Sequence, residues 1–435
     1  MQIILQTFTA YAQLGATSSG DESPQLITDE KLKCYEKFQH IPIIIEGPEQ
    51  SQDYSYFLVD KNEDLKFLER GIALENLSDI KEQKRLEMEF RVLQRMTQHK
   101  GHVKNLFNSP QMEFMKQNRY NEVLPFSHSR VVLKNQPTII PSDIGIGYNE
   151  DLNFYINANY INSFVRGSGE KAFIATQAPI DYTLERFWQM IWEQNTKLII
   201  MLCPLKGPKK EEAICYWVNE QDVSREFGNK AFELTFLSEK QISPGIVQRK
   251  FHLKNLNQPD EPPHLVAQLQ NTRWEDDDAK ADEEHFDDID KMIKKIKKAR
   301  RDENIMLNTC RTPPIVVHCS AGIGRTGTVI AIYAILESIE KLQAQAEDLN
   351  KLEVDQSIIE AYPLFRKVRV SVFGAVRKMR EQRWNMVKRQ VQYIFIYEYL
   401  ERWIRKNLFD LILFGKDDFG DNSNKSKDCN QNLDF

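Results

Sequence analysis

A cysteine and an arginine, Cys319 and Arg325, are spaced so that their side chains could act on one substrate. The five residues between them are small or apolar and include Gly322 and Gly324. A turn of this length and composition can direct successive backbone N–H groups inward, which creates an anion site. A guanidinium at the end of the turn adds paired hydrogen bonds to phosphate-type oxygens. The spacing therefore predicts a phosphate-binding loop with a cysteine at its base.

The segments on either side of this loop predict how it is held. Pro313–Val317 is a short apolar run typical of a buried strand, and Thr328–Ile339 is an almost wholly apolar helix. The N-terminus of that helix would add partial positive charge to the loop. Cysteines in such settings are thiolates at neutral pH. We therefore expect Cys319 to attack phosphorus and form a cysteinyl-phosphate intermediate.

Two other interpretations compete for the same residues. Gly322, Gly324 and Gly327 also fit a dinucleotide-binding fingerprint, and Glu347 or Asp348 lies about 20 residues onward. That interpretation needs a second buried strand, but the stretch from 341 to 355 is polar. The second alternative is a buried structural cysteine, which leaves the glycines and the arginine unexplained.

The whole-chain composition limits the classes of function. The 435 residues carry 58 basic and 63 acidic side chains, a net charge of −5. No overall basic field is present to attract nucleic acid. The six cysteines follow neither a disulfide framework nor a paired metal motif, so we expect a reducing, cytoplasmic location and no metal or cofactor. The first residues do not resemble a signal peptide, and we expect no membrane span.

The order of apolar runs predicts an α/β fold in a single catalytic domain. We expect an N-terminal extension at 1–75, partly ordered, a catalytic domain at 76–412 and a polar, disordered tail at 413–435. The charged stretch 275–301 is interpreted as a solvated helix, with a docking role as the alternative. Predicted strands are Ala172–Thr176, Leu198–Cys203, Cys215–Val218, Phe232–Phe236, Gln248–Leu253, His264–Leu269 and Pro313–Val317. Predicted helices lie at 80–96, 186–194, 328–339, 370–387 and 391–408.

Residues His318–Gly327 resemble the signature loop of the tyrosine-specific, cysteine-based protein tyrosine phosphatases, and similar segments continue over roughly 80–410. The resemblance implies a highly twisted mixed β-sheet flanked by helices. It also implies that Cys319 is the nucleophile, that Arg325 holds the phosphoryl group and that the Thr326 hydroxyl eases release of the thiolate. The loop residues expected to bind the phosphate are Ser320, Ala321, Gly322, Ile323 and Gly324.

Asn118–Phe126 is similar to the loop with which this family recognises phosphotyrosine. By that match Tyr120 stacks on the substrate ring and Glu122 holds the substrate backbone. A deep aromatic slot favours a phosphate mounted on a ring over one on a short alkyl stem. Segments 154–161, 173–179 and 187–192 resemble scaffold motifs of the family, and no catalysis is assigned to them.

The acid-bearing loop departs from the family pattern. The family has Trp-Pro-Asp followed by Gly-Val-Pro, whereas this chain has Trp274, Glu275 and Asp276 followed by two more aspartates. Asp276 is the expected general acid. The neighbouring carboxylates should raise the proton affinity of the cluster and also repel a dianionic substrate.

Two further departures lie in other loops. Gln392 matches the second glutamine of the family's glutamine loop, but Lys388 stands in place of the first. Gln392 is expected to set the hydrolytic water, with Lys388 as a second candidate for that role. The family also has a lysine four residues before a tyrosine, where this chain has Glu212, with Lys209 and Lys210 displaced.

Together these residues predict an enzyme that hydrolyses phosphotyrosine in proteins during signal transduction, with phosphotyrosine-containing proteins as its partners. One alternative is a phosphotyrosine-binding module with little turnover, because the acid and glutamine loops are altered. The other is a phosphatase of lipid or mixed Ser/Thr/Tyr specificity, against which Tyr120 argues.

Overall fold

The computed structural model of the protein describes residues 72–73, 83–97, 115–134, 155–163, 171–208, 210–227, 231–275, 282–307, 312–350 and 369–413. The predicted extension at 1–75 and tail at 413–435 lie outside these ranges, apart from Ile72–Ala73 and Leu413. Among the described helices, none has both the length and the apolar composition needed to cross a bilayer.

The described strands form one large mixed sheet and a small separate pair. The large sheet has the order β2-β3-β4-β10-β5-β9-β8-β7-β6, and β1 pairs with β11. The strands are β1 (Ile72–Ala73), β2 (Arg130–Val132), β3 (Tyr155–Ile161), β4 (Phe173–Thr176), β5 (Leu198–Met201), β6 (Ser224–Phe227), β7 (Phe232–Ser243), β8 (Ile246–Asn255), β9 (His264–Asn271), β10 (Ile315–His318) and β11 (Arg369–Val370).

Six α-helices in the described part of the chain flank the sheet. They are α1 (Gln83–Thr97), α2 (Leu184–Glu193), α3 (Glu283–Leu307), α4 (Gly324–Asn350), α5 (Val372–Gln382) and α6 (Gln390–Leu413). This is the expected mixed α/β architecture: a large sheet with helices on both faces.

The centre of the sheet is parallel. Strand β10 pairs in parallel with β4 on one side and with β5 on the other, and β5 pairs in parallel with β9. At its end His318 lies beside Thr176 and Met201. The carboxyl ends of these strands therefore meet at one edge, which is where open α/β sheets bind ligands.

Alternate side chains of the central strands are buried in two hydrophobic cores, one on each face of the sheet. On β10, Val317 belongs to the core that also contains residues of α1, α3, α4, α5 and α6. Val316 belongs to the second core, which contains residues of α2. Both side chains have no exposed surface. Because β10 is covered on both faces, its sequence is continuously apolar, as parallel strands require.

Several predicted elements are confirmed with shifted bounds. The strands at β4, β5, β7, β8, β9 and β10 and the helices at α1, α2, α4 and α6 all form. In the charged stretch, α3 begins only at Glu283, and its predicted apolar face is buried: Phe286, Ile289, Ile293 and Ile296.

Two predictions were wrong. Cys215–Val218 forms no strand, because the Tyr216 carbonyl accepts from Trp188 Nε1 (3.0 Å) and the backbone there runs as irregular loop. The helix predicted at 370–387 ends at Gln382, since Arg383 has extended backbone angles (φ −145°, ψ 129°). The chain that follows becomes a loop, which returns to the functional edge of the sheet.

Candidate active site

Cys319 follows the last residue of β10, and the helix α4 begins at Gly324. Its side chain is 2% exposed, and the backbone N–H of Gly322 donates to Sγ at 3.2 Å. The sulfur therefore accepts a hydrogen bond from a loop amide, at the turn that leads into a long helix. A loop amide and a helix N-terminus are both typical of anion-binding sites.

Gly322 lets the loop turn against strand β4. Its φ is +70°, in the left-handed region that favours glycine. A Cβ on this residue would lie 2.0 Å from the carbonyl oxygen of Thr176. Any larger residue here would push the loop, and with it the amide that contacts Cys319, away from the sheet.

Arg383 holds the loop from behind. Its Nε donates to the Gly322 carbonyl (2.8 Å) and its Nη2 to the Ala321 carbonyl (3.1 Å). In a trans peptide the N–H points opposite to the C=O. Drawing these two carbonyls toward Arg383 therefore turns the amides of Gly322 and Ile323 toward the cysteine side of the loop.

The Arg383 guanidinium is fully buried and its other hydrogen bonds go to neutral groups. Nη1 donates to Asn159 Oδ1 (2.7 Å) and Nη2 to Asn157 Oδ1 (2.8 Å), both on β3. Burial lowers the pKa of Arg383 to about 10, so it remains charged at neutral pH. A buried cation satisfied by amide oxygens adds positive potential behind the loop.

Arg325 joins three segments at the site. Its side chain is fully buried, with Nη1 donating to the Trp274 carbonyl (2.5 Å) and Nη2 to Glu212 Oε2 (2.5 Å). Glu212 is 2% exposed. The loop arginine is thus linked to the start of the acid-bearing segment and to the segment before Tyr216.

The acid-bearing segment is fixed at its beginning. Besides the bond from Arg325, the Trp274 amide donates to Asn271 Oδ1 (2.9 Å), and the adjacent Arg273 pairs with Asp288 of α3 (2.6 Å). Asp276, the predicted acid, comes two residues after Trp274 but lies outside the described residues. Its role stays a prediction.

Tyr120 lies against the phosphate loop. Its hydroxyl is 2.9 Å from Ser320 Oγ and also accepts from Lys210 Nζ at 2.7 Å. The Tyr120 ring is half-buried, whereas Glu122 is exposed. The structure thus brings Tyr120 to the loop and leaves Glu122 on the surface.

Of the three remaining predicted site residues, Thr326 and Gln392 are buried at the loop and Lys388 is exposed. Thr326 Oγ1 is buried and, within the described residues, has no hydrogen-bond partner. Gln392 is 2% exposed, and its amide nitrogen would lie 2.8 Å from a Cβ on Gly324, so it contacts the loop. Lys388, in contrast, is exposed, and its backbone carbonyl accepts from Gln94 Nε2 (3.1 Å).

His318 is part of the support rather than of the anion cradle. Its Nε2 lies 2.7 Å from the Tyr216 hydroxyl, and its Nδ1 lies 3.1 Å from the Cys319 carbonyl. Burial lowers the pKa of His318 to about 4, so the imidazole is neutral at physiological pH. It therefore contacts the backbone at Cys319 without adding charge.

Sequence reasoning missed the contacts made by Glu212, Arg383 and Lys210. Glu212 was visible as a departure from the family pattern, but that pattern did not indicate a partner far away in the sequence. Among the described residues, no three His, Cys, Asp or Glu side chains are grouped to hold a metal ion.

The comparisons with known proteins agree with this geometry. A family model described as protein-tyrosine phosphatase matches residues 114–402, which is more than half of the chain. The chain belongs to the protein-tyrosine phosphatase family. The matched range of this phosphatase domain runs from just before Tyr120 to beyond Gln392, so it includes every site residue predicted above.

Curated relatives of this phosphatase include human receptor-type tyrosine-protein phosphatase alpha, 31% identical over 291 residues. Rat receptor-type tyrosine-protein phosphatase epsilon is 32% identical over 305 residues. The matches cover 66% and 69% of this chain but only 29% and 35% of those proteins. The chain therefore spans about a third of the length of these relatives.

Solved structures show the same fold. The catalytic domain of human protein tyrosine phosphatase non-receptor type 18 has a TM-score of 0.55 and 25% identity, and the match covers 75% of this chain and 99% of that one. A structure of that phosphatase in complex with HER2 phosphopeptides also matches, with a TM-score of 0.55 and 26% identity over 76% of this chain and 96% of that one. The predicted family and fold are confirmed.

Proposed function

We propose that this chain hydrolyses phosphotyrosine in proteins through a cysteinyl-phosphate intermediate. The observation that carries the proposal is the arrangement around Cys319. The Gly322 amide donates to its sulfur, and Arg325 follows in the first turn of α4. An aromatic residue, Tyr120, bonds to the next loop residue, Ser320. This combination suits an aromatic phosphate ester.

In the first step Cys319 Sγ attacks phosphorus and the bond from phosphorus to the tyrosyl oxygen breaks. The loop amides of Ser320 through Gly324 and the Arg325 guanidinium hold the charge on the phosphoryl oxygens. Asp276 gives its proton to the departing tyrosyl oxygen. Tyr120 holds the ring, and Glu122 receives the substrate backbone at the surface.

In the second step a water oxygen attacks phosphorus and the phosphorus–sulfur bond breaks. Asp276, now a carboxylate, takes a proton from the water. Gln392 is placed against Gly324, where its amide can both donate to and accept from that water. The buried Thr326 hydroxyl can donate to the departing thiolate.

A binding module with little turnover is the second candidate. The observations that favour it are Glu275 in place of the family's proline and the exposed position of Lys388. Turnover assays beside binding assays separate the two functions. A lipid-directed activity has less support, because the half-buried Tyr120 lies beside the loop and suits an aromatic ligand.

The substrates and location are also proposals. A catalytic thiolate is readily oxidised and stays active only where reductants maintain it. We therefore place this activity in the cytoplasm, on phosphotyrosine-containing proteins of signalling systems. Non-receptor type 18 in complex with HER2 phosphopeptides provides an example of such ligands for a relative.

Steady-state hydrolysis of phosphotyrosine and phosphoserine peptides tests the proposal. Wild-type protein should turn over the phosphotyrosine peptide with clear preference, and Cys319→Ser should abolish this while keeping the fold. Equal rates on both peptides would contradict tyrosine specificity. Turnover in Cys319→Ser comparable to that of the wild type would contradict the assignment of Cys319 as the nucleophile.

Asp276→Ala tests the acid. It should lower kcat on the phosphotyrosine peptide by about 10²- to 10⁴-fold, the range for a lost general acid, while the peptide still binds. Asp277→Ala and Asp278→Ala are matched controls that remove the same charge and should reduce kcat much less. If Asp277→Ala has the larger effect, the acid is the next residue along.

A further inference from the structure

Two charges before Tyr216 occur in the reverse of the family order, yet both reach the site. Glu212, where the family has lysine, pairs with the buried Arg325. Lys210, two residues earlier, places its ammonium 2.7 Å from the Tyr120 hydroxyl and 4.6 Å from the centre of the Tyr120 ring. Lys210 therefore contacts Tyr120, the residue that holds the substrate ring in the proposed function.

Of the two hydrogen bonds at the Tyr120 hydroxyl, the one with Lys210 has a fixed direction. A lysine ammonium has donors only, so Lys210 donates to the Tyr120 oxygen. The Tyr120 hydroxyl keeps its own hydrogen, which it can donate to Ser320 Oγ at 2.9 Å. The positive charge on Lys210 strengthens the chain of hydrogen bonds because charge-assisted hydrogen bonds are the stronger kind.

The far end of this chain of hydrogen bonds is fixed to the phosphate loop. Ser320 is 3% exposed, and its backbone carbonyl accepts from the Ala178 amide at 2.9 Å. Tyr120 is thus held between an exposed lysine on one loop and a buried serine beside Cys319. Holding a ring in its binding orientation reduces the entropy lost when a ligand stacks on it.

We propose that Lys210 is a positioning residue that orients Tyr120 for aromatic phosphate esters. The inference rests on the proposed function, because it assumes that Tyr120 forms the wall of the phosphotyrosine pocket. Lys210 acts through the Tyr120 hydroxyl, so it matters for ligands that carry an aromatic ring. Inorganic phosphate, which has no ring to stack, gains nothing from it.

The test compares two ligands in the Cys319→Ser background, where binding is measured without turnover. Fluorescence anisotropy gives Kd for a labelled phosphotyrosine peptide, and displacement by inorganic phosphate gives its inhibition constant. Lys210→Met should raise the Kd of the peptide about three- to ten-fold, the effect of one lost hydrogen bond. It should leave the inhibition constant of inorganic phosphate unchanged. Lys206→Met, on the same loop with the same charge change, should alter neither.

A double-mutant cycle checks the route of the effect. In Tyr120→Phe the ring remains but the hydroxyl that accepts from Lys210 is gone. Adding Lys210→Met to Tyr120→Phe should then change peptide Kd much less than it does alone, because only the contact with the ring remains. Lys210→Arg should recover part of the affinity, because the guanidinium also donates.

Three results would overturn the inference. The first is an unchanged peptide Kd in Lys210→Met. The second is an equal loss of affinity for inorganic phosphate. The third is a double variant whose change in peptide Kd is the product of the changes in Lys210→Met and Tyr120→Phe, as for independent sites. An equal loss would mean long-range attraction of anions by the ammonium. Failure of the proposed function looks different: the Cys319→Ser protein itself would bind phosphotyrosine and phosphoserine peptides equally or neither, which would overturn both proposals.

Discussion

At the scale of single residues, two buried arginines at the loop are stabilised in different ways. Arg383 is satisfied by amide and carbonyl oxygens, whereas Arg325 has a carboxylate partner, Glu212. Both members of the Arg325–Glu212 pair are removed from water, with exposed side-chain fractions of 0% and 3%. Removing one member of such a pair leaves a buried charge uncompensated.

We therefore predict that Glu212→Ala destabilises the fold by about 3–5 kcal/mol, the usual penalty for breaking a buried pair. The measurement is urea unfolding of the purified protein. Glu211→Ala is the matched control, because it removes the same charge from an exposed neighbour and should change stability by about 0.5 kcal/mol or less. Equal losses in both variants would mean that Arg325 is stabilised mainly by other groups.

Residue identities predicted the loop well because its chemistry is local in sequence. The spacing of Cys319 and Arg325 is enough to indicate an anion site, and Gly322 has the backbone angle that such a loop needs. The partners of Arg325 could not be predicted this way, since Glu212 and Trp274 lie 113 and 51 residues away. Only the sheet brings these segments to one edge.

At the scale of elements, the start of α6 separates two residues that sequence reasoning treated together. Gln392 lies within the first turn of α6 and contacts the phosphate loop. Lys388 precedes the helix and is exposed. An ammonium has three donors and no acceptor, so it cannot orient a water as an amide does. It can still attract phosphoryl oxygens.

We predict that the second step is slow in the wild-type protein. Pre-steady-state traces with an aryl phosphate should show a burst of phenol followed by slower turnover. Lys388→Gln should shrink the burst and raise the steady rate, whereas Lys406→Gln, an exposed site on α6, should change neither. A wild type without a burst and an unchanged kcat in Lys388→Gln would mean that Gln392 alone positions the water.

Apolar sequence patterns predicted helices and strands correctly where the element is buried. The strand β10 is buried on both faces, and α4 is buried on all sides from Gly324 to Leu336. Their continuous apolar runs predicted both elements. The strand predicted at Cys215–Val218 was wrong because the Tyr216 carbonyl accepts from the Trp188 indole and not from a neighbouring strand. The strand β3 was missed as a strand because its asparagines, Asn157 and Asn159, are buried partners of Arg383.

At the scale of the whole molecule, stability depends on buried groups that must stay neutral. His318 is fully buried at the end of β10, and burial lowers the pKa of this imidazole to about 4. An unfolded histidine has a pKa of about 6.5. Between these values the unfolded chain takes up a proton that the folded protein does not bind. Stability contributed by neutral His318 is therefore present above pH ~6.5 and is lost as the pH falls toward ~4.

We predict that the free energy of unfolding falls by up to ~1.4 kcal/mol per pH unit in this window because of His318 alone. Urea unfolding at pH 7 and pH 5 should show a smaller loss in His318→Gln than in the wild type. Should that variant not fold, the imidazole resonances of the wild type provide the check, since His318 should not titrate down to about pH 5. Equal pH losses in both proteins, or titration of His318 near pH 6.5, would contradict its burial as a neutral group.

The elements at this edge of the sheet surround Cys319, which we expect to carry the phosphoryl group during turnover. Rapid acid quenching during turnover of a phosphotyrosine peptide, followed by mass spectrometry of the digested protein, measures this directly. The predicted result is one added phosphoryl group on the peptide that contains Cys319. Turnover of the same substrate with the phosphoryl group on another residue, or an undiminished rate in Cys319→Ser, would contradict the mechanism.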